Sequence, residues 1–373
     1  MPYNRDLYIG LMSGTSMDAI DGVLVDFSNE NSNQHPTIIA HTSLKISSET
    51  KQEILSLCQP GHDEINRTGI LDIKLGNFFA KAANELITQA KISSANIKAI
   101  GSHGQTIRHM PNTKPAFTLQ IGDPNTIAFE TKITTIADFR RKDMCAGGQG
   151  APLVPAFHQA LFGSRVHSSC IINIGGMANI THLNQAGSVI AGFDTGPGNA
   201  LLDGWIKKIK NKAFDDNGQW ANTGKIIHEL LDQLLAHPFF QPPPPKSTGR
   251  EDFHLEWLQS NLNSAQKAED IQRTLLEFTA QSICNAVTKH CQSSEEVIIC
   301  GGGAYNEALI NRIKESLPSH TVLTTTELGF SPDLIEAMAF AWLAKQTLEH
   351  KPGNNPASTG ASQPCILGGI YYP

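Results

Sequence analysis

Three short runs of apolar and β-branched residues open the chain: 7–13 (LYIGLMS), 20–27 (IDGVLVDF) and 37–46 (TIIAHTSLKI). Runs of this length and composition predict strands. Gly14, Thr15 and Ser16 punctuate the first pair. The period then lengthens, and apolar positions recur at helical spacing over 49–58 and 70–91. Residues 97–101 (IKAIG) predict a short buried strand, and 110–115 (MPNTKP) a hairpin-like turn into FTLQIG. DPNTIAFE predicts a helix, with an Asp cap and Pro at the first helical position. ITTIADF predicts a further strand.

Near residue 165 the pattern restarts. CIINIGG (170–176), ANITHL (178–183) and SVIAGFD (188–194) predict three strands, the first ending in glycines. Strand, glycine turn, strand, strand thus stands at the front of both halves, a repeat of architecture and not of sequence. Helical periods follow at 199–212, 223–236, 267–291, 304–317 and 332–348, and VIIC (297–300) predicts a strand among them. Alternating strands and helices imply parallel or mixed sheets under helical cover. Two such units predict an interdomain cleft, where small-molecule sites tend to lie. Residues 242–251 (PPPPKSTGRE) start as a stiff polyproline segment. Residues 351–364 predict a long loop, and the apolar tail CILGGIYYP is expected to pack back onto the body.

Length and composition fit this picture. The chain has 373 residues, enough for two cores, with 40% hydrophobic and 17% charged residues. A net charge of −6 argues against a nucleic-acid surface. No apolar run predicts a membrane span, and the polar start MPYNRDLYIG does not read as a secretory signal. The seven cysteines are scattered singly, without a CxxC, so reduced thiols in a cytoplasmic protein are expected.

Three glycine-rich segments are candidates for holding phosphate: 10–21 (GLMSGTSMDAID), 173–181 (NIGGMANIT) and 300–306 (CGGGAYN). Small residues let backbone N–H groups approach phosphate oxygens closely. None is a standard nucleotide fingerprint. Residues 10–16 have no Lys after the second Gly, and position 306 is Asn where a dinucleotide loop needs Gly. The third segment precedes the helix at 304–317, whose N-terminus could receive a nucleotide.

These motifs, with GSHGQT (101–106), ADFRRKDMCAGGQGAPLVPAFH (137–158), GFDTGPGN (192–199), PKSTGRE (245–251), EAMAFAWLA (336–344) and TGASQP…LGGIYYP, resemble the anhydro-N-acetylmuramic acid kinases in order along nearly the whole chain. Ala19 is one departure, at a position where members often carry Gly. The resemblance implies a two-domain α/β fold of the sugar kinase/Hsp70/actin (ribonuclease H-like) type. It places the N-terminal domain at 1–165, joined by helix 332–348 and the tail, and the C-terminal domain at 166–331. It also implies ATP with Mg²⁺, a homodimer, and 1,6-anhydro-N-acetylmuramic acid as substrate in cell-wall recycling.

On that resemblance, Asp194 is the candidate general base, because water attacking a sugar carbon needs a carboxylate to take its proton. Gly14, Thr15, Ser16, Met17, Asp18, Ala19, Ile20 and Asp21 would hold ATP phosphates. Gly175 and Gly176, and Gly301, Gly302 and Gly303, would complete the nucleotide site. Asp18 or Asp21, and Glu336, are candidates on the metal side, since Mg²⁺ takes oxygen ligands. Arg140, Arg141, Lys246 and Arg250 are candidates for the lactyl carboxylate, which the arginine fork matches. His103 and Gln105 are candidates for sugar hydroxyls. A bland role stands beside each: a turn Asp, a first-turn acid, a tight strand–helix packing glycine or a surface cation. Two rival functions compete with the anhydro-sugar reading, a sugar kinase acting on a free hydroxyl and an actin- or Hsp70-like ATP switch.

Overall fold

The computed structural model describes residues 5–14, 17–28, 35–249 and 252–373. Thr15, Ser16 and Arg250 lie outside the described residues. The first strands are β1 (Leu7–Met12), β2 (Ala19–Asp26), β3 (Thr37–Lys45), β4 (Ile97–Ser102), β5 (Gln105–Met110), β6 (Phe117–Ile121) and β7 (Thr135–Ala137). After them come β8 (Ser169–Ile174), β9 (Met177–Leu183), β10 (Val189–Pro197), β11 (Glu296–Cys300), β12 (Thr321–Thr324) and β13 (Gly369–Tyr371). The helices up to residue 162 are α1 (Ser48–Leu57), α2 (Glu64–Ala90), α3 (Pro124–Thr131), α4 (Arg141–Cys145) and α5 (Val154–Phe162). Those beyond are α6 (Ala200–Lys210), α7 (His228–Leu235), α8 (Leu255–Ser260), α9 (Ala268–His290), α10 (Glu307–Ser316), α11 (Ile335–Leu348) and α12 (Pro356–Thr359). Contacts divide the chain into Met1–Leu161 with Leu334–Pro373, and Phe162–Asp333.

The sheet of the first unit runs β13-β7-β4-β1-β2-β3. β1, β2 and β3 form an antiparallel meander, and β4 and β7 add in parallel on the other side of β1. The sheet of the second unit runs β10-β9-β8-β11-β12. Its β8, β9 and β10 form the meander, and β11 and β12 add in parallel beside β8. Leaving β13 aside, order and direction are the same in both units. This is the ribonuclease H-like plan drawn twice, which makes the restart near residue 165 a restart of topology.

Burial explains which strands are central. Every residue of β1, β8 and β11 is buried, as a continuous apolar run requires. β3 alternates toward solvent and forms an edge. α11 is buried on nearly every side, the pattern of a core helix and not of an amphipathic surface one. It reaches β1 and β4 through glycines: a Cβ on Gly10 would stand 1.8 Å from the Ala337 carbonyl oxygen, and one on Gly101 1.9 Å from that of Phe340. In the second unit α9 is the core helix, with Leu275, Leu276, Phe278 and Ile283 inside. Among the described residues no helix is long and apolar enough to cross a membrane.

Several expected elements shift. α2 starts at Glu64 and not near residue 70, because a polar first turn precedes its apolar stripe. The helix expected over 223–236 begins at His228, since Gly224 is pressed against the Glu269 carbonyl of α9. The loop over 351–364 holds a short helix, α12, and the apolar tail adds β13 to the sheet beside β7.

Candidate active site

Ser13 leaves β1 and enters the first glycine loop. Its buried Oγ donates to Gln105 Oε1 at 2.7 Å, and the His103 N–H donates to the Leu11 carbonyl at 3.0 Å. The GSHGQT segment is therefore tied to the root of the loop. Among the described residues, a Cβ on Gly14 would meet nothing within 4 Å, so these leave space beside the loop backbone. Met17 closes the turn at φ 55, a left-handed conformation uncommon for a long side chain. Ala19 and Ile20 already belong to β2. Asp18 pairs with Lys51 at the surface, and Asp21 Oδ1 accepts from Ser43 Oγ at 2.7 Å.

His103 is buried against Phe340 of α11, ring centroids 4.8 Å apart. Its Nε2 accepts from Arg140 Nε at 3.1 Å and Nη2 at 2.8 Å. Burial, reinforced by the Arg140 charge, lowers the His103 pKa to about 3, so the ring stays neutral. Arg140 Nη1 donates to the Gly150 carbonyl at 2.8 Å. Desolvation lowers the Arg140 pKa to about 10, against the opposing charges of Glu336 and Asp143. Glu336 lies in the first turn of α11. Arg141 points elsewhere, to Asp138 at 3.2 Å, and is more than half exposed.

Asp194 sits at a β-bulge in β10, between Asp194 and Gly196, with Gly196 at φ 134. Bulges re-aim a side chain out of strand alternation. Its N–H donates to the Lys246 carbonyl at 3.0 Å, and its Oδ2 accepts from the Thr248 N–H at 2.9 Å. The irregular 242–251 stretch is thus the brace of this carboxylate. Phe239 and Phe240, just before this stretch, pack with Phe253 and Phe278. The Lys246 ammonium donates to the Phe239 carbonyl at 3.2 Å and lies 4.5 Å from the Phe239 ring centre. Burial, with Lys289 nearby, lowers its pKa. Thr248 was not singled out from sequence; the only signal was its place inside the PKSTGRE motif.

The other two glycine turns are more committed than expected. The Gly175 N–H donates to the Met177 carbonyl, while the Gly175 and Gly176 carbonyls accept from Asn199, Gly198 and Ala200 at the start of α6. Gly301 (φ 78) donates to the Pro332 carbonyl, and a Cβ there would stand 2.3 Å from Asn173 Oδ1. A Cβ on Gly303 would stand 2.3 Å from Ile174 Cγ2. Both are packing glycines at the end of β8. Gly302 differs, since a Cβ there would approach only Asn199 Nδ2 and Asp333 Oδ1, each at 3.9 Å. Residues 302–305 form a 3-10 turn, and α10 starts only at Glu307, capped by the Asn306 side chain. The first turn of α10 is thus capped by its own Asn306 and carries Glu307.

Among the described residues no group of three His, Cys, Asp or Glu could hold a metal unaided. Mg²⁺ commonly takes one or two carboxylates and completes its shell with water and phosphate oxygens, so Asp21 and Glu336 fit a supporting role and not a closed cage.

His103 and His158, both buried with pKa values near 3, give a pH prediction. Each is neutral in the fold and protonates at ~6.5 when unfolded. The unfolded chain then binds more protons below that pH, so stability falls on acidification, by up to ~1.4 kcal/mol per pH unit for each ring. Urea denaturation at pH 7, 6 and 5 should show this slope, and His103→Gln should flatten it. An unchanged slope would mean that His103 protonates inside the fold.

Residues 6–373 match the family model described as anhydro-N-acetylmuramic acid kinase. The protein of that name from Saccharophagus degradans is 51% identical over 373 residues, 98% of this chain and 99% of the relative. The Coxiella burnetii protein is 52% identical over 374 residues, 100% of this chain and 98% of the relative. A solved structure of the activator of 2-hydroxyisocaproyl-CoA dehydratase from Clostridium difficile, with bound ADPNP, is similar with a TM-score of 0.48 at 14% identity, covering 92% of this chain and 97% of that one. By this similarity along its full length, the chain belongs to the anhydro-N-acetylmuramic acid kinase family.

Proposed function

We propose that the protein uses ATP and Mg²⁺ to convert 1,6-anhydro-N-acetylmuramic acid into N-acetylmuramic acid 6-phosphate, in the cytoplasm and as a homodimer. The observation that carries the reading is the half-buried Asp194 carboxylate at a strand-end bulge, held by the Thr248 N–H, in a chain that matches the family along its length. Asp194 takes a proton from water as the water attacks C1. The C1–O6 bond breaks, and the γ-phosphoryl group of ATP is transferred to O6. Phosphoryl transfer removes the negative charge developing on O6, so it stands where a general acid's proton stands in an ordinary glycosidase. Mg²⁺ would supply charge neutralisation of the phosphates, with Asp21 and Glu336 on its side. The open backbone at Gly14 and Gly302 suits phosphate oxygens and nucleoside. His103, Gln105 and Arg140 would bind the sugar and its lactyl carboxylate. Arg141 pairs with Asp138 and Lys246 with the Phe239 carbonyl, while Arg250, like Arg140, is a candidate for that carboxylate.

The geometry of attack gives the test. O6 occupies the β face of C1, so activated water must arrive from the α face, as in an inverting glycosidase. In ¹⁸O-water the label should appear at C1 and not in phosphate, and proton NMR taken before mutarotation should show the α anomer first. An initial β anomer would mean a covalent intermediate or attack from the other face. Label in the phosphate would mean that water attacks phosphorus, as in an ATP switch. 1,6-Anhydro-N-acetylglucosamine, which lacks the lactyl group, should be a much poorer substrate.

A further inference from the structure

The GGQG loop after α4 is wrapped around one buried carboxylate, that of Asp143, whose exposure is 0%. Its Oδ1 accepts from Asn354 Nδ2 at 2.6 Å and Thr359 Oγ1 at 2.7 Å. Its Oδ2 accepts from the Gly150 N–H at 2.8 Å. Two backbone bonds run alongside, from the Gln149 N–H to the Thr359 carbonyl and from the Ser362 N–H to the Ala146 carbonyl, both 2.8 Å. The loop needs its glycines: a Cβ on Gly148 would stand 2.2 Å from Asp143 Oδ2, and Gly150 has φ 71. From Gly150 the connection continues, because its carbonyl accepts from Arg140, whose guanidinium also holds His103 Nε2.

We propose that Asp143 is a positioning residue for the sugar contact His103, acting through Gly150 and Arg140, and that the 354–359 segment is thereby part of the construction of the sugar site. The inference rests on the reading of His103 as a sugar contact. All three groups facing the carboxylate are donors, and the Asn354 amide is fixed in that sense because its Oδ1 accepts from the Cys365 N–H at 2.6 Å. The two carboxylate oxygens accept from all of them. An asparagine would turn an NH₂ toward one of these donors and either release the C-terminal segment or let go of Gly150. It would also remove a negative charge that favours the Arg140 cation.

A double-mutant cycle separates this role from a general contribution to folding. Asp143→Asn, His103→Asn and the double variant are compared with wild type in kcat/KM for 1,6-anhydro-N-acetylmuramic acid at saturating ATP. Asparagine at 103 is too short to place an acceptor where Nε2 sits. Asp143→Asn should lower kcat/KM by about 30-fold or more with KM for ATP changed by less than about twofold, and by under about threefold when His103 is already Asn. Equal losses in both backgrounds, or a matching rise in KM for ATP, would overturn the inference and leave the site reading intact. A His103→Asn enzyme with unimpaired sugar kinetics would overturn the site reading and the inference together. Thr359→Val keeps the carboxylate and removes one donor. Its expected loss of about fivefold must also vanish in the His103→Asn background, which keeps the test decisive if Asp143→Asn does not fold.

Discussion

Asp194→Asn should give a folded protein that binds ATP and turns over roughly 10²–10⁴-fold more slowly, the usual worth of general-base assistance. The structure makes this substitution clean. The Asp194 N–H bond to Lys246 is made by the backbone and survives any side chain. The Thr248 N–H needs an acceptor at Oδ2, and the asparagine carbonyl supplies one. The brace from 246–248 therefore stays attached, and the Lys246 contact with Phe239 is untouched. What disappears is the capacity to hold a proton taken from water. Asp194→Glu offers a second reading of the same role: it keeps the base but displaces it by one methylene, so part of the activity should remain. Steady-state turnover with ADP release as readout, beside a thermal melt and nucleotide titration, decides the matter. Activity above about a tenth of wild type in Asp194→Asn would remove Asp194 from the role of base.

The legible parts of this fold were those in which one strand or one turn carries its own signal. β1, β8 and β11 are buried along their full length, so their apolar runs are unbroken. The same topology in the two units follows from strand order, which the restart near residue 165 already suggested. β5, with Gln105, Arg108 and His109 inside it, had no such signal, because its polar residues serve bonds made outside its own pattern. β12 carries no such signal because a four-residue edge strand with only Val322 buried makes too short a run. The site was legible as motifs and opaque as construction. Asp194 could be singled out, but its brace comes from residues 54 positions away. The grip on Asp143 comes from 211 and 216 positions away. No local pattern encodes such pairs. The glycine turns show the same division. Gly301, Gly302 and Gly303 are equivalent in sequence, yet the first and third are fixed by packing against Asn173 and Ile174 and only the second is open.

Gly10→Ala should be the most destabilising single-methyl change in the first unit, costing roughly 3–5 kcal/mol or preventing folding, beyond the ~1–3 kcal/mol typical of an overpacked core. The added carbon would lie 1.8 Å from the Ala337 carbonyl oxygen and 2.7 Å from the Ala341 nitrogen. These are backbone atoms of α11, so no rotamer change relieves the contact. The helix itself must lift from β1 by more than an ångström. Ala337, Met338, Ala339, Phe340 and Ala341 are all buried, so lifting opens voids along the whole contact. Gly101→Ala meets the Phe340 carbonyl in the same way at 1.9 Å and should behave alike. Gly14→Ala is the control on the same β1–β2 connection. Its Cβ meets nothing within 4 Å among the described residues, so stability should stay within ~0.5 kcal/mol, as for ordinary surface changes, while KM for ATP rises because the methyl occupies the approach to the loop backbone. Urea denaturation of the three variants and steady-state kinetics of Gly14→Ala make the comparison. A Gly10→Ala protein within ~1 kcal/mol of wild type would mean that α11 can retreat from β1 at little cost. The close glycine contact would then be a consequence of small residues and not a requirement of the fold.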